Sequence, residues 1–108
     1  MMTIPFEEVF SLRESITFRK NQITSRIVIS DKNTHIVLYA MDAEESISSE
    51  SSPHSKMLIV IEGNVKIVMD DSCHTLRLGE ALLIESNKKH SIEAEDTCKF
   101  IQINFNKK

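Results

Sequence analysis

Several kinds of site are excluded by what this chain has little of. It carries 13 Lys and Arg against 16 Asp and Glu, a net charge of −3. With no surplus of cations to neutralise a run of phosphates, nucleic acid is not an expected partner. No stretch approaches the ~18 continuous apolar residues of a membrane-crossing helix. The opening run Met1 to Phe10 lacks the basic and then apolar regions of a secretory signal. The expectation is a soluble cytoplasmic protein with no membrane partner. Only two cysteines occur, Cys73 and Cys98, too far apart for a CxxC motif, so free thiols are expected rather than a disulfide or a thiolate metal site. With two glycines in 108 residues there is no glycine-rich loop to cradle phosphate. A GxSxG elbow and an HExxH helix are also missing, and scattered serines do not make a triad.

What is present is β-patterning. Apolar residues make up 41% and charged residues 27% of the chain, ordinary globular usage. β-Branched and alternating runs at Ile23 to Ile29, His35 to Met41, Met57 to Ile61, Val65 to Met69, Ala81 to Ile84 and Phe100 to Phe105 read as strands. Turn-forming clusters at 30–33, 62–64, 70–72, 85–87 and 95–96 separate them at the spacing of an all-β barrel or sandwich. Pro5, with Glu7 and Glu8 behind it, suits the first turn of a short helix, the one helix the pattern allows. The Ser-rich stretch at 46–52 leads into Pro53 and reads as a loop crossing a barrel mouth. The length predicts one domain over residues 1–108.

The run Met57 to Ile61 is apolar on both faces: Met57, Ile59 and Ile61 point one way, Leu58 and Val60 the other. Such a strand is covered on both sides. A barrel has one interior, so the second layer comes from residues 1–30 or from another subunit. A homodimer is the expectation, with the folded-over N-terminal segment as the alternative.

The two glycines sit in informative surroundings, Ile59 to Ile67 around Gly63 and Leu76 to Ile84 around Gly79, followed by His90. The order and spacing resemble a cupin, including its small single-domain members, which implies a double-stranded β-helix, or jelly-roll, barrel. The second cupin motif, G-x5-P-x-G-x2-H-x3-N, laid from Gly79, puts Glu85 in the Pro slot, Asn87 in the second Gly slot, His90 in the His slot and Ala94 in the Asn slot. Asn87 is a sensible substitute because Asn tolerates positive φ. The first motif, G-x5-H-x-H-x3-4-E-x6-G, counted back from Gly63, puts Lys56 in the metal-binding Glu slot. Its two His slots fall on Ser49 or Glu50 and on Ser51 or Ser52.

The resemblance implies a divalent metal (Fe, Mn, Zn or Ni) held by three His and a carboxylate, and the chain departs from it. His90 is retained. Glu50 could add a carboxylate, and His54 shares strand parity with Lys56 if the chain is extended there. An ammonium at Lys56 opposes a dication and offers it no lone pair. Lys56 either replaces the metal, pairing with Glu50 across the mouth beside a neutral His90, or snorkels to solvent. His90 has its own plain reading, a ring that fills space and hydrogen-bonds backbone. His35 and His74 read as surface or edge residues, the Asn87 to His90 run as solvated lysines or an anion-attracting mouth, and the acidic run Asp42 to Glu45 as a solvated turn. Three functions remain open. The leading one is a non-enzymatic or weakly active barrel that binds a small polar or anionic molecule through His90, Lys56 and Glu50, without a competent catalytic metal site. The second is a metal-dependent dioxygenase or isomerase using His90, Glu50 and His54. The third is a structural or sensor-like dimer with a filled barrel.

Overall fold

The computed structural model describes residues 4–105, with Ser49 and Glu50 described by their backbone alone. Nine strands follow one turn of 3-10 helix at Arg13–Ser15: β1 Ile23–Ser30, β2 Thr34–Met41, β3 Ser46–Glu50, β4 Ser55–Glu62, β5 Asn64–Met69, β6 Cys73–Arg77, β7 Ala81–Ile84, β8 His90–Glu93 and β9 Cys98–Phe105. They form a five-stranded sheet, β1-β2-β9-β4-β7, and a four-stranded sheet, β3-β8-β5-β6. Every pairing between them is antiparallel. This is the all-β barrel that the alternation predicts, with the jelly-roll order that the cupin resemblance implies, and no helix among the described residues is long and apolar enough to cross a membrane.

The period of two sorts each strand into two faces. Leu58 and Val60 of β4, Phe100 of β9 and Met41 of β2 meet Val65 and Ile67 of the opposite sheet in the cluster between the sheets. Phe100 is fully buried and stacks on Tyr39 with ring centroids 5.1 Å apart. The alternate residues Leu38, Ile59 and Ile101 form a second cluster on the outer face of the five-stranded sheet, where Ile16 and Phe18 cover them. The N-terminal segment therefore supplies part of the second layer that two-faced β4 requires. Polar contacts hold it there: Lys99 Nζ donates to the Arg13 carbonyl at 2.6 Å and lies 5.0 Å from the Phe18 ring centre, and Arg13 Nε donates to Glu62 at 2.9 Å.

Two local expectations are corrected. Residues 6–8 form a turn and bend rather than a helix, with Glu7 at φ 60, outside any right-handed helix. The Ser-rich stretch is not wholly loop: Ser46–Glu50 pairs with β8 as an edge strand, because Ile47 packs on the inner cluster and the ladder satisfies its backbone. Asn87 adopts φ 64, as its place in a glycine slot requires.

The two glycines differ in what they do. Gly63 has φ +72, and a Cβ there would stand 2.6 Å from the Thr97 carbonyl oxygen; Gly79 has φ +83 and open space around it. Replacement at Gly79 meets only the left-handed penalty of about 1 to 2 kcal/mol. Gly63→Ala adds a backbone clash and is expected to melt several degrees below Gly79→Ala, by a shift of about 4 to 8 °C for each further kcal/mol. Equal melting points in calorimetry would contradict the close approach.

Cys73 is exposed, Cys98 is buried, and both are free thiols. Burial, helped by the nearby Glu62 charge, pushes the Cys98 thiol up to about 11. The folded chain thus retains a proton that the unfolded chain releases near pH 8.5 to 9. Stability from this group is complete below that range and is lost as pH rises towards 11. Urea unfolding is expected to show a shallower alkaline decline for Cys98→Val than for the native chain, and thiol titration at pH 8 to label Cys73 quickly and Cys98 only on unfolding.

Candidate functional site

The inward positions of β4 run Val60, Leu58, Lys56, and those of β9 run Phe100, Gln102, Asn104. Register sets Leu58 opposite Gln102 and Lys56 opposite Asn104. The barrel interior therefore changes from apolar to polar toward one end. Gln102 is buried and its Nε2 donates to Asn104 Oδ1 at 3.2 Å. Neither amide is singled out in the sequence. Their signal is the alternation of polar Gln102 and Asn104 with Ile101 and Ile103.

At this polar end lie Lys56, 3% exposed, and His90, 2% exposed. Lys56 Nζ stands 3.2 Å from His90 Nε2. The ring's other nitrogen, Nδ1, is 2.9 Å from the Lys88 carbonyl oxygen, which can only accept, so Nδ1 carries a proton. In the neutral ring Nε2 then presents its lone pair, and the Lys56 ammonium donates to it. Lys56 does not snorkel: its β4 parity with Leu58 turns it into the barrel. The hydrogen bond to backbone in the plain reading of His90 is present, together with the bond to Lys56. Burying an ammonium is costly unless it is hydrogen-bonded, and a bond from a charged donor contributes about 1.5 to 3 kcal/mol.

Glu50 faces His90 in the β3–β8 register, after a register shift that follows Ile47; its side chain lies outside the described residues, and the expected pairing with Lys56 falls there. His54 is exposed in the turn before β4, where it lines a cavity of about 60 Å³ with Asp31, His35 and Asn104. His35 hydrogen-bonds Ser30 Oγ at 2.9 Å, and His74 lies exposed on β6. Lys88 pairs with Asp71 at 3.4 Å, and its charge holds the Asp71 carboxyl below the usual range. Asp42 accepts from the Asn21 and Ala43 amides, which lower its carboxyl likewise, so the acidic run is a hydrogen-bonded turn between β2 and β3.

The double-stranded β-helix is an architecture shared with known proteins. The model of the Cupin domain matches residues 37–104. The chain belongs to the cupin family. Among solved structures, a cupin superfamily protein from Desulfitobacterium hafniense is 24% identical with a TM-score of 0.91, over 98% of this chain and 97% of that one. A conserved protein of unknown function from Streptococcus pyogenes is 18% identical with a TM-score of 0.91, over 99% and 94%. An RmlC-like cupin from Desulfovibrio desulfuricans is 20% identical with a TM-score of 0.80, over 91% and 95%. These likenesses, all below 25% identity, carry the fold alone. No curated protein matches the chain.

The metal that the family implies does not fit the residues described. The His90 Nε2 lone pair faces an ammonium, and the described residues contain no group of three His, Cys, Asp or Glu able to hold an ion.

Truncating His90 removes an acceptor from a buried cation, so His90→Ala is expected to cost about 1 to 3 kcal/mol in urea unfolding. Lys56→Met keeps most of the volume but leaves the buried His90 Nε2 without its donor, and is expected to cost about 1 to 3 kcal/mol as well. In the Lys56→Met background the His90→Ala cost should shrink by more than about 0.5 kcal/mol. Additive costs would mean that the two side chains are energetically independent.

Proposed function

We propose that this cupin is a binding module, not an enzyme, that holds a small polar or anionic molecule at the polar end of its barrel without a metal cofactor. Lys56, His90 and Glu50 are its contacts. The observation that carries this reading is the buried Lys56 ammonium 3.2 Å from the His90 Nε2 lone pair. A cation fixed inside the barrel attracts a carboxylate or phosphate group where low dielectric strengthens the attraction. It also repels the dication that a dioxygenase or isomerase of this fold would need. Gln102 and Asn104 add neutral amides to the same end, suited to a ligand with both charged and uncharged polar groups.

We further infer that the protein works as a cytoplasmic homodimer. Support comes from large apolar side chains open to solvent, among them Phe6 at 74%, Val9 at 104% and Leu83 at 67%. Scattered apolar residues are ordinary on a surface, but Phe6, Val9, Phe10 and Leu12 crowd into one short segment.

The deciding measurement is metal content by mass spectrometry, on protein purified without a metal-affinity tag and then incubated with Fe²⁺, Mn²⁺, Zn²⁺ and Ni²⁺. Metal is expected at far below one equivalent. A stoichiometric metal that is lost in His90→Ala would overturn the reading and favour the metal-dependent enzyme. In parallel, small carboxylates and phosphate esters are expected to raise the melting temperature of the native chain and not that of Lys56→Met.

A further inference from the structure

A nucleophile in contact with a base, the base itself held by a third group, is the arrangement by which side chains attack carbonyl carbon. The polar end of the barrel contains one. Lys56 Nζ stands 3.2 Å from His90 Nε2, and His90 Nδ1 stands 2.9 Å from the Lys88 carbonyl oxygen, which fixes the ring. A solvated ammonium keeps its lone pair tied up in an N–H bond at neutral pH. Lys56 differs, because an acceptor for that proton is already in contact with it. Transfer moves the positive charge between two groups 3.2 Å apart, so no ion has to leave the barrel. The Lys88 carbonyl accepts from Nδ1 throughout and supports the imidazolium when it forms.

We propose that Lys56 captures a small aldehyde or 2-oxo acid bearing a carboxylate, holding it as a protonated imine, with His90 carrying the protons. This rests on the binding of a small anionic molecule inferred above and adds the covalent bond and the carbonyl group that the bond requires. The Lys56 ammonium gives a proton to His90 Nε2, and the freed lone pair forms a C–N bond to the carbonyl carbon. The carbonyl oxygen takes that proton from His90. The new nitrogen then gives a second proton to His90, which passes it to the carbinolamine hydroxyl. The hydroxyl leaves as water, and the nitrogen lone pair closes the C=N bond. One ammonium and one carbonyl become one protonated imine and one water, with His90 neutral again and no oxidant or reductant consumed. The reverse steps release the ligand by hydrolysis.

The carboxylate in this ligand class is matched by the amides beside Lys56. Gln102 Nε2 donates to Asn104 Oδ1 at 3.2 Å, so the Asn104 amide nitrogen has N–H groups left to offer a carboxylate. Asn104 is the register partner of Lys56 on the neighbouring strand. It also lines a cavity of about 60 Å³ that opens among Asp31, Lys32 and His54. Lys32 adds a positive charge at this rim, while the Asp31 carboxylate is engaged by the Asn33 and Thr34 amides. At about 10 to 15 Å³ for each water, the cavity admits only a few heavy atoms, the size of a two- or three-carbon oxo acid.

The test incubates the native full chain with glyoxylate and cyanoborohydride near neutral pH, and locates the resulting carboxymethyl-lysine by peptide mass spectrometry. Lys56, although buried, is expected to be modified at least about tenfold faster than the exposed Lys32 and Lys89. It is also expected to react faster with glyoxylate than with acetaldehyde, which lacks the carboxylate. His90→Ala is expected to lose the advantage over Lys32 and Lys89 while the circular dichroism of the barrel is unchanged. The comparison among lysines is made within the native chain, so it stands whether or not that variant folds. Lys56 modified no faster than Lys32 and Lys89, in a chain whose melting temperature glycolate raises, would overturn the imine and leave the anion-binding reading standing. No selective modification and no response to glycolate would overturn both. Equal rates with glyoxylate and acetaldehyde would overturn the part assigned to the carboxylate.

Discussion

Both layers of this protein are registered on strand β9. It is paired along its length with β2 on one side and, through one irregularity near Val60, with β4 on the other. Its inward residues carry the barrel from packed core at Cys98 and Phe100 to polar end at Gln102 and Asn104. Its outward residues do the same for the other face, from Lys99, which anchors the N-terminal segment, through Ile101 and Ile103 to Phe105. A one-residue slip would exchange the two sets, putting Lys99 into the core and Phe100 outside, so the pairing is specified by both faces at once.

The polar end gains its character from one substitution of type. At the position that the motif resemblance assigns to a carboxylate this chain carries Lys56, on a side chain long enough to reach the His90 imidazole. Buried charges seldom add stability over apolar packing of the same volume. The Lys88 carbonyl completes the arrangement by fixing which imidazole nitrogen faces inward.

The barrel was legible because its strands alternate and its glycine spacings are those of a known family. Ala81–Ile84 stands as the pattern drew it, and the other five patterned strands differ from it by no more than two residues at either end. Strands β3, β6 and β8 were not among the patterned runs; β3 was not legible because its serines carry no β signal and only Ile47 ties it to the core. The helix at Pro5 failed because local preference has no strength there without an apolar face to bury. Lys56 and His90 could be found because the motifs of the family that the chain resembles count from Gly63 and Gly79. That they touch could not be read, because the contact joins opposite sheets. Gln102 and Asn104 were passed over for a related reason: inside a strand, a polar residue on the inner face looks the same in sequence as one on the outer face.

The hold on the N-terminal segment has a further consequence. It is not a strand of the sheet; Ile16, Phe18 and the Lys99 bond to the Arg13 carbonyl secure it, with no ladder behind them. Regions of this kind open at a lower free energy than a fully paired sheet. The molecule therefore has an order in which it comes apart: the segment can lift and settle many times over while the nine strands stay closed. Anything that pins the segment slows that motion without touching the barrel.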